Sequence, residues 1–261
     1  MKNKAIKKSI SAFLVFLSVF YVISAGSYAS SMCWYVKRNG NLQPQMQKES
    51  GLLKKYNAFY IDEKHGDRCE EKVLYLTFDA GYENGNVEKI LNILKEESVP
   101  AAFFLLDNII IKNTDLVKRM CDEGHLVCNH TKNHKDLTGS SDAEIQDNIE
   151  SLEKIYKDKT GYDMSKYFRF PEGKYSENAL KKVCDLGYKT IFWSFAYADW
   201  SNSNQPAEEA AIKKILDNTH NGAVILLHPT SSTNAKILKT LIEKWREMGY
   251  RFGTLDELTE Q

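Results

Sequence analysis

From Lys72 to the C-terminus, apolar runs of strand length alternate with amphipathic stretches of helix length, and that alternation admits few architectures. The runs are VLYLTF, AAFFLL, HLVCN, YFRF, TIFWSF, AVILLH and RFGTL. Between them lie VEKILNILKEE, TDLVKRMCDE, SDAEIQDNIESLEKIYKD, SENALKKVCDLG, QPAEEAAIKKILDNT and AKILKTLIEKWREMG, each patterned for one buried helical face. Several begin after Ser, Thr or Asn and end in Gly, as capping chemistry requires. Strands that alternate with helices pair in parallel through right-handed crossovers. About seven such units predict an α/β fold built as a β/α barrel, closed or incomplete, rather than an open doubly wound sheet. No Gly-rich phosphate loop follows the first strand, which argues against a nucleotide-binding version.

The remainder of the chain divides at about residue 70. Lys2, Lys4, Lys7 and Lys8 precede the uncharged stretch ISAFLVFLSVFYVISA, and Ser27-Tyr28-Ala29 supplies small residues at a cleavage spacing. Residues 1–29 therefore read as an export signal or, uncleaved, as an anchor tethered to a membrane through residues 9–25. Either way the bulk of the chain works outside the cytoplasm. Residues 30–70 read as a polar extension, with a helix expected near Glu49–Tyr56, and residues 71–261 as the main domain. Removing the four N-terminal lysines from 35 basic residues leaves 31 against 35 acidic ones, a balance of −4. That lacks the basic footprint of a nucleic-acid binder. Five scattered cysteines contain no CxxC pair, which disfavours a zinc ribbon.

Polar residues collect immediately after the predicted strands: Asp79, then His130-Thr131-Lys132-Asn133-His134, then Arg169 with Pro171-Glu172-Gly173, then Asp199-Trp200, and His228. In a β/α barrel those positions open onto one face, where active sites are built. Each has a bland reading of its own. Asp79 can cap a helix, the HTKNH histidines can lie on the surface, Arg169 can neutralise a surface acid, His228 can be a satisfied core histidine, and Asp199-Trp200 can be a self-packed loop. Taken together they require five coincidences. HTKNH spaces two imidazoles four residues apart, which on a helical turn presents both to one metal ion. Two imidazoles favour zinc or a similar transition ion.

In this order, TFD-x-G, H-T-x-x-H, R-x-P-x-G, D-W and L-L-H resemble the motifs of the polysaccharide deacetylase family, whose fold is the deformed (β/α)7–8 barrel of the NodB type. FDAGYENGN, FWSFAYADW and CWYV are most similar to the delta-lactam-biosynthetic de-N-acetylases of spore-forming bacteria. The resemblance implies Asp79 as general base, His130 and His134 as ligands of a divalent metal, zinc first, and Thr131 as a brace between them. It implies Arg169 as the partner that keeps Asp79 ionised, the backbone N–H of Glu172 as oxyanion donor, and His228 as the acid that protonates the leaving amine, supported by Asp199. Trp200 and Leu226 would line the notch for the acetyl methyl group.

The same resemblance exposes a departure. Most relatives carry a second acid as third metal ligand where this chain has Ala80, so a two-histidine site is expected to hold metal weakly. The implied activity is de-N-acetylation of N-acetylmuramic acid in a peptidoglycan strand whose stem peptide an amidase has already removed. That would give the precursor of muramic delta-lactam in the spore cortex, at the cell wall or in the forespore intermembrane space, and as a monomer. Two alternatives stay open: a general N-acetylglucosamine or chitin-oligosaccharide deacetylase, and a glycan-binding module that has lost its chemistry.

Overall fold

The structure, a computed structural model, describes residues 31–44 and 50–260. The export or anchor segment falls outside the described residues. No helix among the described residues is long and apolar enough to cross a membrane.

Ten strands and nine α-helices are present in the described residues. The strands are β1 (Met32–Cys33), β2 (Ala58–Phe59), β3 (Lys72–Ala80), β4 (Ala102–Leu105), β5 (Leu126–Asn129), β6 (Ser165–Phe168), β7 (Lys174–Tyr175), β8 (Lys189–Ile191), β9 (Ala223–Leu227) and β10 (Tyr250–Phe252). The helices are α1 (Ser50–Lys55), α2 (Val87–Glu96), α3 (Asp107–Lys112), α4 (Thr114–Asp122), α5 (Asp142–Thr160), α6 (Glu177–Asp185), α7 (Glu208–Leu216), α8 (Ser232–Glu247) and α9 (Leu255–Thr259). Every apolar run named above overlaps a strand, and every amphipathic stretch overlaps a helix.

Eight strands form one parallel sheet in the order β10-β3-β4-β5-β6-β8-β2, with β9 also paired to β3. β3 is the hub: it pairs with β10 at Lys72–Leu74, with β9 at Leu74–Phe78 and with β4 at Thr77–Ala80. Beyond β8 the chain reaches β9, where Phe195 bridges to Ile225 and the Leu226 amide donates to the Phe195 carbonyl at 2.9 Å. This contact curls the sheet into a deformed barrel. Strand alternation then sorts the core. Val73, Tyr75, Phe104, Cys128 and Val224 fill the interior with Leu255 and Leu258 of α9. Leu74, Leu76, Phe78, Phe103 and Leu227 face the helices.

The segment before residue 70 is built into this barrel. β2 pairs in parallel with β8, and Ile61 bridges to Ala223 at the start of β9. Trp34 stacks on Phe192 with ring centroids 4.7 Å apart and donates its indole N–H to the Trp193 carbonyl. The expected helix near Glu49–Tyr56 is α1, whose Leu53 is buried among Phe168, Phe170 and Tyr175. At Gly222 (φ 71°) an added Cβ would lie 2.5 Å from the Asp62 carbonyl oxygen, so only glycine admits this close approach of extension and barrel.

Candidate active site

Asp79 ends β3 on the inward face, and Arg169 follows β6 directly across the barrel. The Arg169 side chain is completely buried, which is tolerable only because every arm is engaged. Nη1 donates to Asp79 Oδ1 at 2.8 Å, Nη2 to Thr77 Oγ1 at 2.9 Å, and Nε to the Ile191 carbonyl at 2.9 Å. The guanidinium also lies 4.1 Å from the Phe104 ring centre. Burial alone would raise the Asp79 pKa, but the charges of Arg169, His130 and His228 prevail and hold it below the ordinary carboxylate range. Asp79 is an ionised carboxylate.

His130 follows β5. Its Nδ1 lies 2.8 Å from the Arg169 carbonyl, so Nδ1 carries the proton and Nε2 offers its lone pair, 3.5 Å from Asp79 Oδ2. Burial pushes its pKa down to about 4 against the raising effect of Asp79, leaving a neutral imidazole at physiological pH. The His134 ring centre lies 5.1 Å away, with the ring planes at 74°.

Two expectations are corrected here. HTKNH is not a helical turn: Thr131 and His134 both take left-handed backbone conformations (φ 69° and 60°) in an irregular loop. The two rings meet because the backbone reverses, not because of a helical repeat. Nor does the Thr131 hydroxyl brace the loop; it is buried with no hydrogen-bond partner. Asn129 and Asn148 do that work, accepting from the Thr131 and Lys132 amides at 3.0 and 2.8 Å.

The donor set suits a borderline divalent ion in kind, since one imidazole has its tautomer fixed by a backbone carbonyl, a usual outer support for a histidine ligand. It is sparse in number. Among the described residues no group of three or more His, Cys, Asp or Glu side chains is placed to hold a metal. Ala80 is buried beside Asp79 and lines the cavity without offering a donor.

On the opposite wall His228 follows β9. Its Nδ1 lies 2.7 Å from Asp199 Oδ1, and its backbone N–H donates to Asp199 Oδ2 at 2.8 Å. Asn234 completes the support, donating to Asp199 Oδ2 at 2.6 Å and to the His228 carbonyl at 3.1 Å. Burial would lower the His228 pKa, yet its bond to Asp199 and the charges of Asp199 and Asp79 raise it. The Asp199 carboxylate thus favours the protonated form of this imidazole.

Glu172 adopts φ 56° in the turn Pro171–Gly173. Its neighbour Gly173 is wedged against Trp34 and Trp193, where a Cβ would lie 2.9 Å from each side chain. The Glu172 side chain turns along the rim to Lys174, at 2.8 Å. Asp79, Ala80, His130, His134, Glu172, Trp200 and His228 line one cavity of about 660 Å³ with Gly81, Tyr82, Leu106, Trp193 and Thr230. Leu226 does not line it. It sits two residues before His228 on the same strand face, buried at 4% exposure. Thr77 and Asn234, which anchor the two charged pairs, were not singled out from the sequence. Thr77 shares the inward face of β3 with Asp79, a period-two signal that was available.

A buried ionised carboxylate, a carboxylate-supported histidine and an imidazole pair around one cavity at the strand ends of a parallel barrel suit a hydrolase. The chain belongs to the polysaccharide deacetylase family. The family model matches residues 66–191, which include Asp79, His130, His134, Arg169 and Glu172. Peptidoglycan-N-acetylmuramic acid deacetylase PdaA of Bacillus subtilis is 40% identical over 228 residues, covering 86% of this chain and 84% of that protein. The structure of B. subtilis PdaA, a family 4 carbohydrate esterase, superposes with a TM-score of 0.82 at 37% identity, over 87% of this chain and 96% of that one. Peptidoglycan-N-acetylglucosamine deacetylase PgdA of Listeria monocytogenes is 35% identical over 187 residues, 72% of this chain but 39% of its own length.

Proposed function

We propose that this enzyme removes the acetyl group from N-acetylmuramic acid in peptidoglycan strands that carry no stem peptide. One observation carries the chemistry: Asp79, held ionised by Arg169, and His228, whose protonated form Asp199 favours, face the same cavity. Asp79 takes a proton from the attacking water as its oxygen joins the acetyl carbonyl carbon. The Glu172 backbone N–H is assigned to the oxyanion. His228 gives its proton to the nitrogen as the C–N bond breaks, releasing acetate and leaving a free amine on the sugar. A divalent ion, zinc first, held by His130 and His134 would add Lewis acidity toward the carbonyl oxygen.

The choice of sugar is supported by the length of the match to PdaA and by FDAGYENGN, the segment with Ala80 that resembles the delta-lactam-biosynthetic de-N-acetylases. The freed amine lies beside the lactyl carboxyl of the same sugar, and the two can close a lactam. A peptide on that carboxyl blocks the closure, which places the enzyme after an amidase and makes its product the precursor of muramic delta-lactam in the spore cortex. The corresponding location is the cell wall or forespore intermembrane space, reached through the N-terminal export segment or held there by residues 9–25. We assign a monomer.

The match to PgdA favours a second reading, deacetylation of N-acetylglucosamine. Acetate release from amidase-treated and untreated peptidoglycan separates the two. The muramic reading expects strong preference for treated strands, and equal rates on both would sink it.

A further inference from the structure

Six large apolar side chains are well exposed among the described residues, and two of them, Tyr82 and Trp200, line this one cavity at 41% and 60% exposure. Exposed rings gathered at one site usually mark a binding surface. Here they are also held in place. Asn202 donates to the Tyr82 hydroxyl oxygen at 2.6 Å, joining the loop after β3 to the loop that carries Trp200. The rest of the YENGN segment fixes the same wall, because Asn84 and Asn86 both donate to the Thr230 carbonyl, at 2.9 and 3.0 Å. Three loops are thereby tied into one rim that keeps the Tyr82 ring in position before any substrate arrives, which lowers the ordering cost of binding.

The two rings hold different places relative to the chemistry. Trp200 stands edge-on to His228 with centroids 6.0 Å apart, beside the group that protonates the leaving nitrogen. Tyr82 stands three residues past Asp79, and its hydroxyl accepts from Asn202 while its own proton stays available. A flat ring packs against the C–H face of a pyranose, and the phenol proton can reach a sugar hydroxyl.

Resting on the proposed deacetylase reading, we infer that Tyr82 is a sugar-stacking residue for the unit adjoining the reacting one, so that the enzyme recognises a glycan strand rather than a single sugar. Asn202 is its positioning residue.

The test is calorimetric binding of peptide-stripped muramyl strands and of chitin oligomers, with Asp79→Asn as the non-hydrolysing parent. Tyr82→Ala in that background is expected to weaken strand binding about five- to tenfold, the value of a well-placed aromatic contact. Tyr82→Phe, which keeps the ring, is expected to stay within about threefold. Strand affinity unchanged in Tyr82→Ala, or Tyr82→Phe as weak as Tyr82→Ala, would overturn the stacking role. Acetate release by the unaltered enzyme reads the sugar independently. Should it act only on the chitin series, the muramic reading falls, while the Tyr82 comparison is still decided on that series.

Discussion

His228 Nδ1 lies 2.7 Å from one oxygen of Asp199 while the other oxygen accepts from the backbone N–H of the same histidine, at 2.8 Å. Asp199 therefore grips both the ring and the main chain of His228. The ring cannot turn over, its Nδ1 must carry a proton, and Nε2 is the atom presented to the cavity.

The sign of the pH dependence follows from this pair. The His228 pKa is raised, so its proton donor is intact below the ordinary histidine range and is lost as pH rises through the raised value. The Asp79 pKa is lowered, so the base is intact above the ordinary carboxylate range and fails only as pH falls through its depressed value. Asp199→Asn removes the charge that offsets burial. The alkaline limb of the kcat/KM profile should then move to lower pH; an unmoved limb would assign it to another group.

Asp79→Asn should lower acetate release by about 10³-fold, the usual contribution of a general base. The substituted amide still accepts from Arg169, so the fold should survive, as circular dichroism would verify. A glycan-binding module would bind strands as before and show no turnover in either form.

Arg169→Ala leaves a carboxylate without its buried partner. Breaking such a pair costs about 3–5 kcal/mol, read as a lower midpoint in urea unfolding. Arg169→Lys should rescue little, because an ammonium cannot reach Asp79, Thr77 and the Ile191 carbonyl together.

Ala80→Asp restores an anionic oxygen beside His130 and His134. Zinc affinity measured by calorimetry at neutral pH should rise about tenfold or more, since two neutral donors make a weak site. With the His130 pKa at about 4, proton competition at that ligand is negligible under these conditions. Unchanged affinity would put the ion elsewhere.

Trp34→Ala should cost about 3–5 kcal/mol, as for other buried tryptophans. It should also slow turnover, because the lost indole N–H donates to the carbonyl of Trp193, at 2.9 Å, and Trp193 lines the cavity. Wild-type kcat with lowered stability would confine Trp34 to packing.

The residues that end strands were legible because a β/α barrel has one functional rim, and Asp79, Arg169, Asp199 and His228 all stand on it. HTKNH was legible in composition but not in conformation, since nothing in the letters says that Thr131 and His134 take positive φ. The helix α3 was hidden because its six residues, DNIIIK, are too few to show a helical period and follow the strand run AAFFLL directly. β2 escaped notice for a different reason. Two residues carry no periodicity, and their partner strand lies far along the chain. Leu226 was placed one layer too high: the resemblance set it in the notch, but on this strand it lies beneath the cavity that His228 lines.

β2 has a consequence for how the chain comes together. Ala58 is made early, yet its sheet partner Thr190 is made only after β3 through β6. In any vectorial synthesis or export the first strand of the eight-stranded sheet to emerge waits for a partner made much later, and loop closure must be met before the pairing rewards it. The seam between Ile61 and Ala223 should accordingly be among the late contacts to form, and the cavity rim, whose Glu172 turn leans on Trp34, should mature with it.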